Sequence, residues 1–158
     1  MYLSYYESPI GLIEIKATEK WVESIRFTDK KEKVELPNTV TISCGNQLNE
    51  YFLKKREKFS FPVKSSGTAF QQKVWNELCK ISYGETNTYK EIAKKIGNEK
   101  AVRAVGTAIG RNPIAIVVPC HRVIGSNGSM IGYAYGIERK EKLLNLEKEN
   151  RNKLNRIQ

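Results

Sequence analysis

Between residues 59 and 67 the chain changes character, and that change constrains every fold open to it. The stretch holds Pro62, Ser65, Ser66 and Gly67, a linker composition. Before it the apolar pattern is that of strands. Leu12, Ile13 and Ile15 follow a turn signal at Ser8-Pro9-Ile10-Gly11, and Val22, Ile25 and Phe27 follow a second at Glu19-Lys20. Short apolar segments bounded by turns predict a small antiparallel sheet within the first 30 residues. Residues 30–39 are charged and contain Pro37, which predicts a loop. Leu48, Tyr51, Phe52 and Lys55 recur at helical spacing and predict a helix near 43–57.

After the linker the period becomes helical. Thr68 is placed to cap a helix that carries Phe70, Val74, Trp75 and Leu78 on one face, with Tyr83-Gly84 beyond its end. Thr88 is placed to cap a second, with Glu91 as its capping-box partner and Ile92, Ala93 and Ile96 as its apolar face, stopped by Gly97-Asn98. A third is predicted over 99–111, with Ala101, Val105, Ala108 and Ile109 inward and Asn112-Pro113 as its breaker. The last helix is predicted from Ile137, with Leu143, Leu144 and Leu146 apolar. The pattern divides the chain into an α/β domain over 1–62 and a mostly α domain over 63–158.

Charge divides at the same place. Residues 1–62 carry 10 basic and 9 acidic side chains, whereas 63–158 carry 17 and 8. A field confined to one half points to a polyanion, nucleic acid before anionic membrane. The two short helices around Gly97 lie inside that half and form a helix-turn-helix candidate. Ala101, Ala104 and Gly106 on the second helix are small enough for close approach to DNA. Arg103 lies opposite the apolar stripe and points outward, toward DNA or into solvent. No apolar run approaches the roughly 18 residues of a membrane span. The first residues lack a basic segment followed by an apolar core, so no signal peptide is expected. Three widely spaced cysteines argue against a disulfide scaffold, and with one histidine they supply a zinc site poorly.

Residues 114–119, Ile-Ala-Ile-Val-Val-Pro, lead to Cys120, His121 and Arg122. A free thiol is only a few per cent ionised at neutral pH, so a neighbouring base or positive field is what makes it a nucleophile. Adjacent residues seldom hydrogen-bond side chain to side chain. If His121 activates Cys120, a bridging water is expected, with a carboxylate from the last helix orienting the imidazole. The alternative is a core cysteine beside an incidental histidine. Glu147 follows Leu143 by four residues and falls near the inward face, where a carboxylate needs a partner; the alternative is a surface glutamate.

Pro119-Cys120-His121-Arg122-Val123 resembles the active-site signature of the O6-alkylguanine-DNA alkyltransferase family. The resemblance extends over Tyr83-Gly84-Glu85, Thr88-Tyr89, residues 101–106, Asn112-Pro113, Gly132-Tyr133-Ala134, Leu143-Leu144 and Glu147, in the family's order. It implies a ribonuclease-H-like N-terminal domain and a winged-helix-like C-terminal one. It implies single-turnover repair, in which Cys120 takes the alkyl group from guanine O6 in double-stranded DNA and no cofactor is needed. His121 would be the base acting through water, Glu147 its support, and Tyr89 a donor toward the departing guanine. Asn112 would tie the cysteine turn to the recognition helix. Arg103 would fill the gap left by a flipped nucleotide, with Ala101, Ala104, Gly106 and Arg122 also at the DNA. Met130, Tyr133, Ala134 and Tyr135 would line the guanine pocket. Tyr135 stands where relatives often have a small residue, which favours methyl over benzyl adducts. Cys44 is expected to be a passive thiol and Cys79 a core residue. A cytoplasmic monomer is expected. The competing reading is a lesion-binding helix-turn-helix protein without alkyl transfer.

Overall fold

The computed structural model describes residues 1–130 and 132–157, without side chains for 154–157. It divides into two compact units. One is Met1–Ser66 with Pro113–Val117, and the other is Gly67–Asn112 with Val118–Gln158. The division thus falls four residues later than the composition break suggests, and the first unit takes back a five-residue segment from beyond the second unit's helix pair.

In the first unit β1 (Tyr2–Ser8), β2 (Gly11–Ala17) and β3 (Val22–Thr28) form an antiparallel sheet in that order. The β1–β2 hairpin turns on Pro9-Ile10, with Ser8 opposite Gly11. Gly11 has a φ of 133°, open to glycine because it lacks a Cβ. Ile13, Ile15, Val22 and Ile25 are fully buried. At roughly 1.5–3 kcal/mol per buried aliphatic side chain, such residues supply most of this unit's cohesion. Glu14, buried between Ile13 and Ile15, is paired with Arg26, whose Nε lies 3.1 Å from its carboxylate.

Helix α1 runs over Thr39–Phe52 rather than 43–57. Asn38 accepts from Thr41 N and Thr41 Oγ1 accepts from Asn38 N, so the capping box starts the helix four residues early. Lys54, at φ 62°, is in the left-handed region just past its end, so Lys55 lies outside the helix. Cys44 and Leu48 are its most buried apolar residues. The returning segment pairs beside β3, with Ile25 N donating to Pro113 O and Ala115 N to Ile25 O, both at 2.9 Å.

The second unit contains α2 (Ala69–Leu78), β4 (Asn87–Thr88), α3 (Tyr89–Lys95), α4 (Val102–Gly110), β5 (Val123–Ile124) and α5 (Ile137–Ile157). Thr88 makes the predicted capping box with Glu91, and Thr68, predicted as a cap, makes one as well, with Gln71. Such a cap contributes about 1 kcal/mol. Residues 99–101 form a single 3-10 turn ahead of α4 instead of its first α-turn. Val105, Ala108 and Ile109 turn inward, and Trp75 Nε1 donates to Ala108 O at 2.8 Å, which fixes α2 against α4. Strands β4 and β5 pair in parallel, Asn87 with Val123 and Thr88 with Ile124. Among the described residues no helix is long and apolar enough to cross a membrane.

Candidate active site

The β4–β5 pair places two chain segments side by side. One continues directly into Tyr89 at the start of α3, and the other is preceded directly by the 3-10 turn Cys120–Arg122. Pro119 opens that turn and cannot donate a backbone N–H. Asn112, just past α4, reaches across with one amide group. Its Nδ2 donates to Val118 O at 2.8 Å and to Cys120 Sγ at 3.2 Å. The turn is therefore tied to the end of the helix pair, and the sulfur lone pairs already hold a donor. Cys120 is buried, 4% exposed. Burial raises its pKa, opposed by the Asn112 hydrogen bond and by the positive charge of Lys140.

His121 and Glu147 are fully buried and joined at 2.6 Å, His121 Nε2 donating to the carboxylate. Arg122 closes the group. Its Nε and Nη2 donate to the two Glu147 oxygens at 2.8 and 3.1 Å, and Nη1 donates to Ile81 O at 2.8 Å. Gly84 N also donates to Glu147, at 3.1 Å. Burial alone would raise the Glu147 pKa, but His121 and Arg122 overcome it and hold the carboxyl well below the usual range. Burial lowers the His121 pKa against the pull of Glu147, whose charge Arg122 already matches. The imidazole is thus neutral at pH 7, with Nε2 carrying the hydrogen. Nδ1 is buried with no hydrogen-bond partner among the described residues, and is the nitrogen left to accept a proton.

Tyr89 is half-buried and Tyr133 buried, and the phenol pKa of each is raised by burial and by the Cys120 charge. Both phenols are therefore near enough to the thiol for its charge to act on them. Tyr135, half-buried, packs edge-on against Tyr133 with centroids 5.6 Å apart. Met130 is half-buried in the preceding loop, whereas Ala134 is exposed. A Cβ on Gly132 would meet Tyr89 Oη at 2.6 Å, and Gly132 has a φ of 97°, so glycine there leaves room for the phenol.

On α4 Arg103, on the face away from Val105 and Ala108, and Ala104 are exposed and Gly106 is half-buried; Ala101, expected inward, is half-buried in the 3-10 turn ahead of the helix. Arg122 departs from its expected place at the DNA. It is 7% exposed and committed to Glu147 and Ile81, so it offers no guanidinium to a phosphate. Cys79, expected in the core, is exposed at the end of α2, whereas Cys44 is buried and its thiol is pushed up in pKa by burial, as a passive thiol would be. Lys140 is a site residue that the sequence reading missed. Lys140, Leu143, Glu147 and Asn150 are all buried, and their spacing of three, four and three marks one helix face. That spacing was the available signal.

Fold and site together define a helix-turn-helix protein with a hydrogen-bonded cysteine beside a His–Glu–Arg cluster. Residues 1–65 match the 6-O-methylguanine DNA methyltransferase ribonuclease-like domain, and residues 69–149 the DNA binding domain of the same family. A methylated-DNA–protein-cysteine methyltransferase of Methanosarcina acetivorans is 48% identical over 153 residues, covering 93% of this chain and 98% of its own. An inducible one of Bacillus subtilis is 51% identical over 145 residues, covering 87% and 79%. The crystal structure of Mycobacterium tuberculosis OGT in complex with DNA is similar at a TM-score of 0.88 and 41% identity, covering 95% and 94%. The chain belongs to the 6-O-methylguanine DNA methyltransferase family. The expected fold class, a ribonuclease-like α/β domain followed by a helical DNA-binding one, is the one found.

Proposed function

We propose that this chain, a methyltransferase of direct-reversal DNA repair, transfers the alkyl group of O6-alkylguanine in duplex DNA irreversibly to Cys120. The supporting observation is the thiol itself, held by Asn112 Nδ2 at 3.2 Å beside a neutral, carboxylate-anchored imidazole. His121 Nδ1 takes the thiol proton through a water, and Glu147 holds the imidazolium that results. The sulfur attacks the alkyl carbon, the C–S bond forms and the C–O6 bond breaks. The purine leaves as neutral guanine on receiving a proton, for which Tyr89 is the nearby donor. The proton that left the thiol balances the one the purine gains. The product is a thioether with no group present to reverse it, so each chain turns over once.

DNA is the partner, bound through residues 63–158, with residues 1–62 in a structural role. Cys120 is buried, so the lesion must leave the base stack to reach it. Arg103, exposed on α4, is the side chain to occupy the gap, with Ala101, Ala104 and Gly106 allowing close approach. Met130, Tyr133, Ala134 and Tyr135 line the guanine pocket. The chain acts as a monomer, and its three free cysteines fit a reducing, cytoplasmic compartment. The test is incubation of wild type and Cys120→Ala with duplex DNA containing O6-methylguanine. A gain of one methyl group in wild type and none in the variant supports repair. Lesion binding with no mass gain in either chain rejects it in favour of a lesion-binding protein.

A further inference from the structure

We propose that the first unit carries a docking groove for an acidic, apolar-anchored segment of a partner protein, built by β1, β2 and the loop over residues 30–37. The groove lies wholly within the unit to which only a structural role is given above, so it stands independently of the reading of Cys120.

Met1, Leu3, Lys16, Lys33, Val34 and Leu36 line a groove of about 470 Å³. Leu3 on β1 and Lys16 on β2 are directly opposite in the sheet register, so both side chains stand on one face. Leu36 joins the edge of β1, with Leu3 N and Leu36 N each donating to the other's carbonyl oxygen at 2.8 Å. Leu3 is buried, whereas Met1 is 68%, Val34 92% and Leu36 58% exposed. Single exposed apolar residues are ordinary on a protein surface, but grouped ones mark a contact site. Three of the eight large exposed apolar side chains among the described residues are gathered at this groove.

The exposure of Val34 does not come from a loose loop. Lys33 N donates to Tyr5 Oη at 3.2 Å, Tyr5 N donates to Glu35 Oε1 at 2.9 Å, and Leu36 pairs with Leu3. The backbone is pinned on both sides of Val34 and holds a β-branched side chain out to water. A stiff side chain on a pinned backbone loses little freedom when a partner covers it.

The charge at the groove is positive. Glu35 is engaged by Tyr5 N, and Glu14 by Arg26 Nε at 3.1 Å, with Lys16 Nζ farther away at 3.6 Å. Lys33, hydrogen-bonded to Lys16, lowers the Lys16 pKa together with burial and against the pull of Glu14. A carboxylate set against the two lysines would pair with both and relieve their repulsion. The occupant follows from this combination of charge and apolar surface. A DNA backbone offers phosphates without a side chain to cover Val34 and Leu36. A second copy of this chain carries the same net +10 and is repelled. An extended acidic segment with apolar residues beside its carboxylates satisfies both features.

The test uses the full chain and a fluorescent synthetic peptide in which aspartate alternates with leucine, read by anisotropy. Wild type is expected to bind it saturably. Val34→Ser and Lys33→Glu are each expected to weaken binding about tenfold, as for one buried apolar contact and one desolvated charge. A peptide with lysine in place of aspartate is expected to prefer Lys33→Glu to wild type. Both substituted side chains are exposed, so the variants are expected to melt with wild type and to take up methyl from methylated duplex as it does. Should a variant fail to fold, wild type decides by amide NMR shifts on titration, which are expected to concentrate at Leu3, Lys16, Lys33 and Leu36. Shifts elsewhere, no saturable binding by wild type, equal binding of an aspartate–serine peptide, or binding unmoved by both substitutions would overturn the proposal. Self-association abolished by Val34→Ser would make a second copy the occupant, and loss of affinity for undamaged duplex in both variants would give the groove to DNA; either result would overturn it.

Discussion

Glu147 receives hydrogen bonds from His121, from Arg122 through two nitrogens, and from Gly84 N. Removing Arg122 leaves a buried carboxylate short of its charge partner, so Arg122→Ala is expected to cost about 3–5 kcal/mol in denaturant unfolding. A cost near that of a surface ion pair would contradict the network. The same groups set the acid response. The folded pKa of His121 lies below its unfolded value, so its contribution is present above that value, about 6.5, and is lost as pH falls below it. Glu147, also depressed, adds a second loss below about pH 4.3. Melting temperature is expected to fall from pH 7 to 5 and faster below 4, with the first limb absent in His121→Gln. A flat response between 7 and 5 in wild type would contradict the neutral imidazole. Local order and helical spacing mark Cys120, His121 and Glu147 only as candidates, each with a structural alternative, and the family resemblance is what assigns their roles. Arg122 was not legible, because a basic residue in a basic half looks like a phosphate contact until its burial is known. Lys140 was hidden in the run Glu138-Arg139-Lys140-Glu141-Lys142, whose neighbours are solvated.

Helix ends with a side-chain signal read clearly. Thr68 and Thr88 lie where local capping chemistry puts them, and α2, α3 and α5 begin as expected. Helix α1 departs from its apolar spacing at both ends, because the Asn38–Thr41 box starts it at Thr39 and because no composition rule marks Lys54 for positive φ. The face of α4 was legible from periodicity alone, and it carries the clearest functional prediction. Arg103→Ala is expected to slow alkyl transfer from duplex DNA at least tenfold while leaving reaction with free O6-alkylguanine base within about twofold, since only the duplex must be opened. Single-turnover rates with the two substrates check this, and equal losses would contradict the role of Arg103 in the duplex.

Across the whole chain, the charge break and the fold boundary nearly coincide, because the linker that ends one hydrophobic pattern also ends one electrostatic surface. The return of Pro113–Val117 to the first unit was not legible, since a five-residue apolar run carries no mark of the strand it will pair with. The net +9 on residues 63–158 places polyanion binding in that part of the chain. DNA affinity is accordingly expected to fall linearly with salt on a log–log plot, as counterion release requires, and a salt-independent affinity would contradict it. The central claim is that one of three free thiols, Cys120, is the acceptor and reacts once. Its most direct measurement is the intact mass of the wild-type chain held with a large excess of duplex containing O6-methylguanine, followed by peptide mapping. The account predicts a rise of a single methyl group that then stops, located on Cys120. A methyl group on Cys44 or Cys79, or continued turnover without modification of the chain, would contradict it.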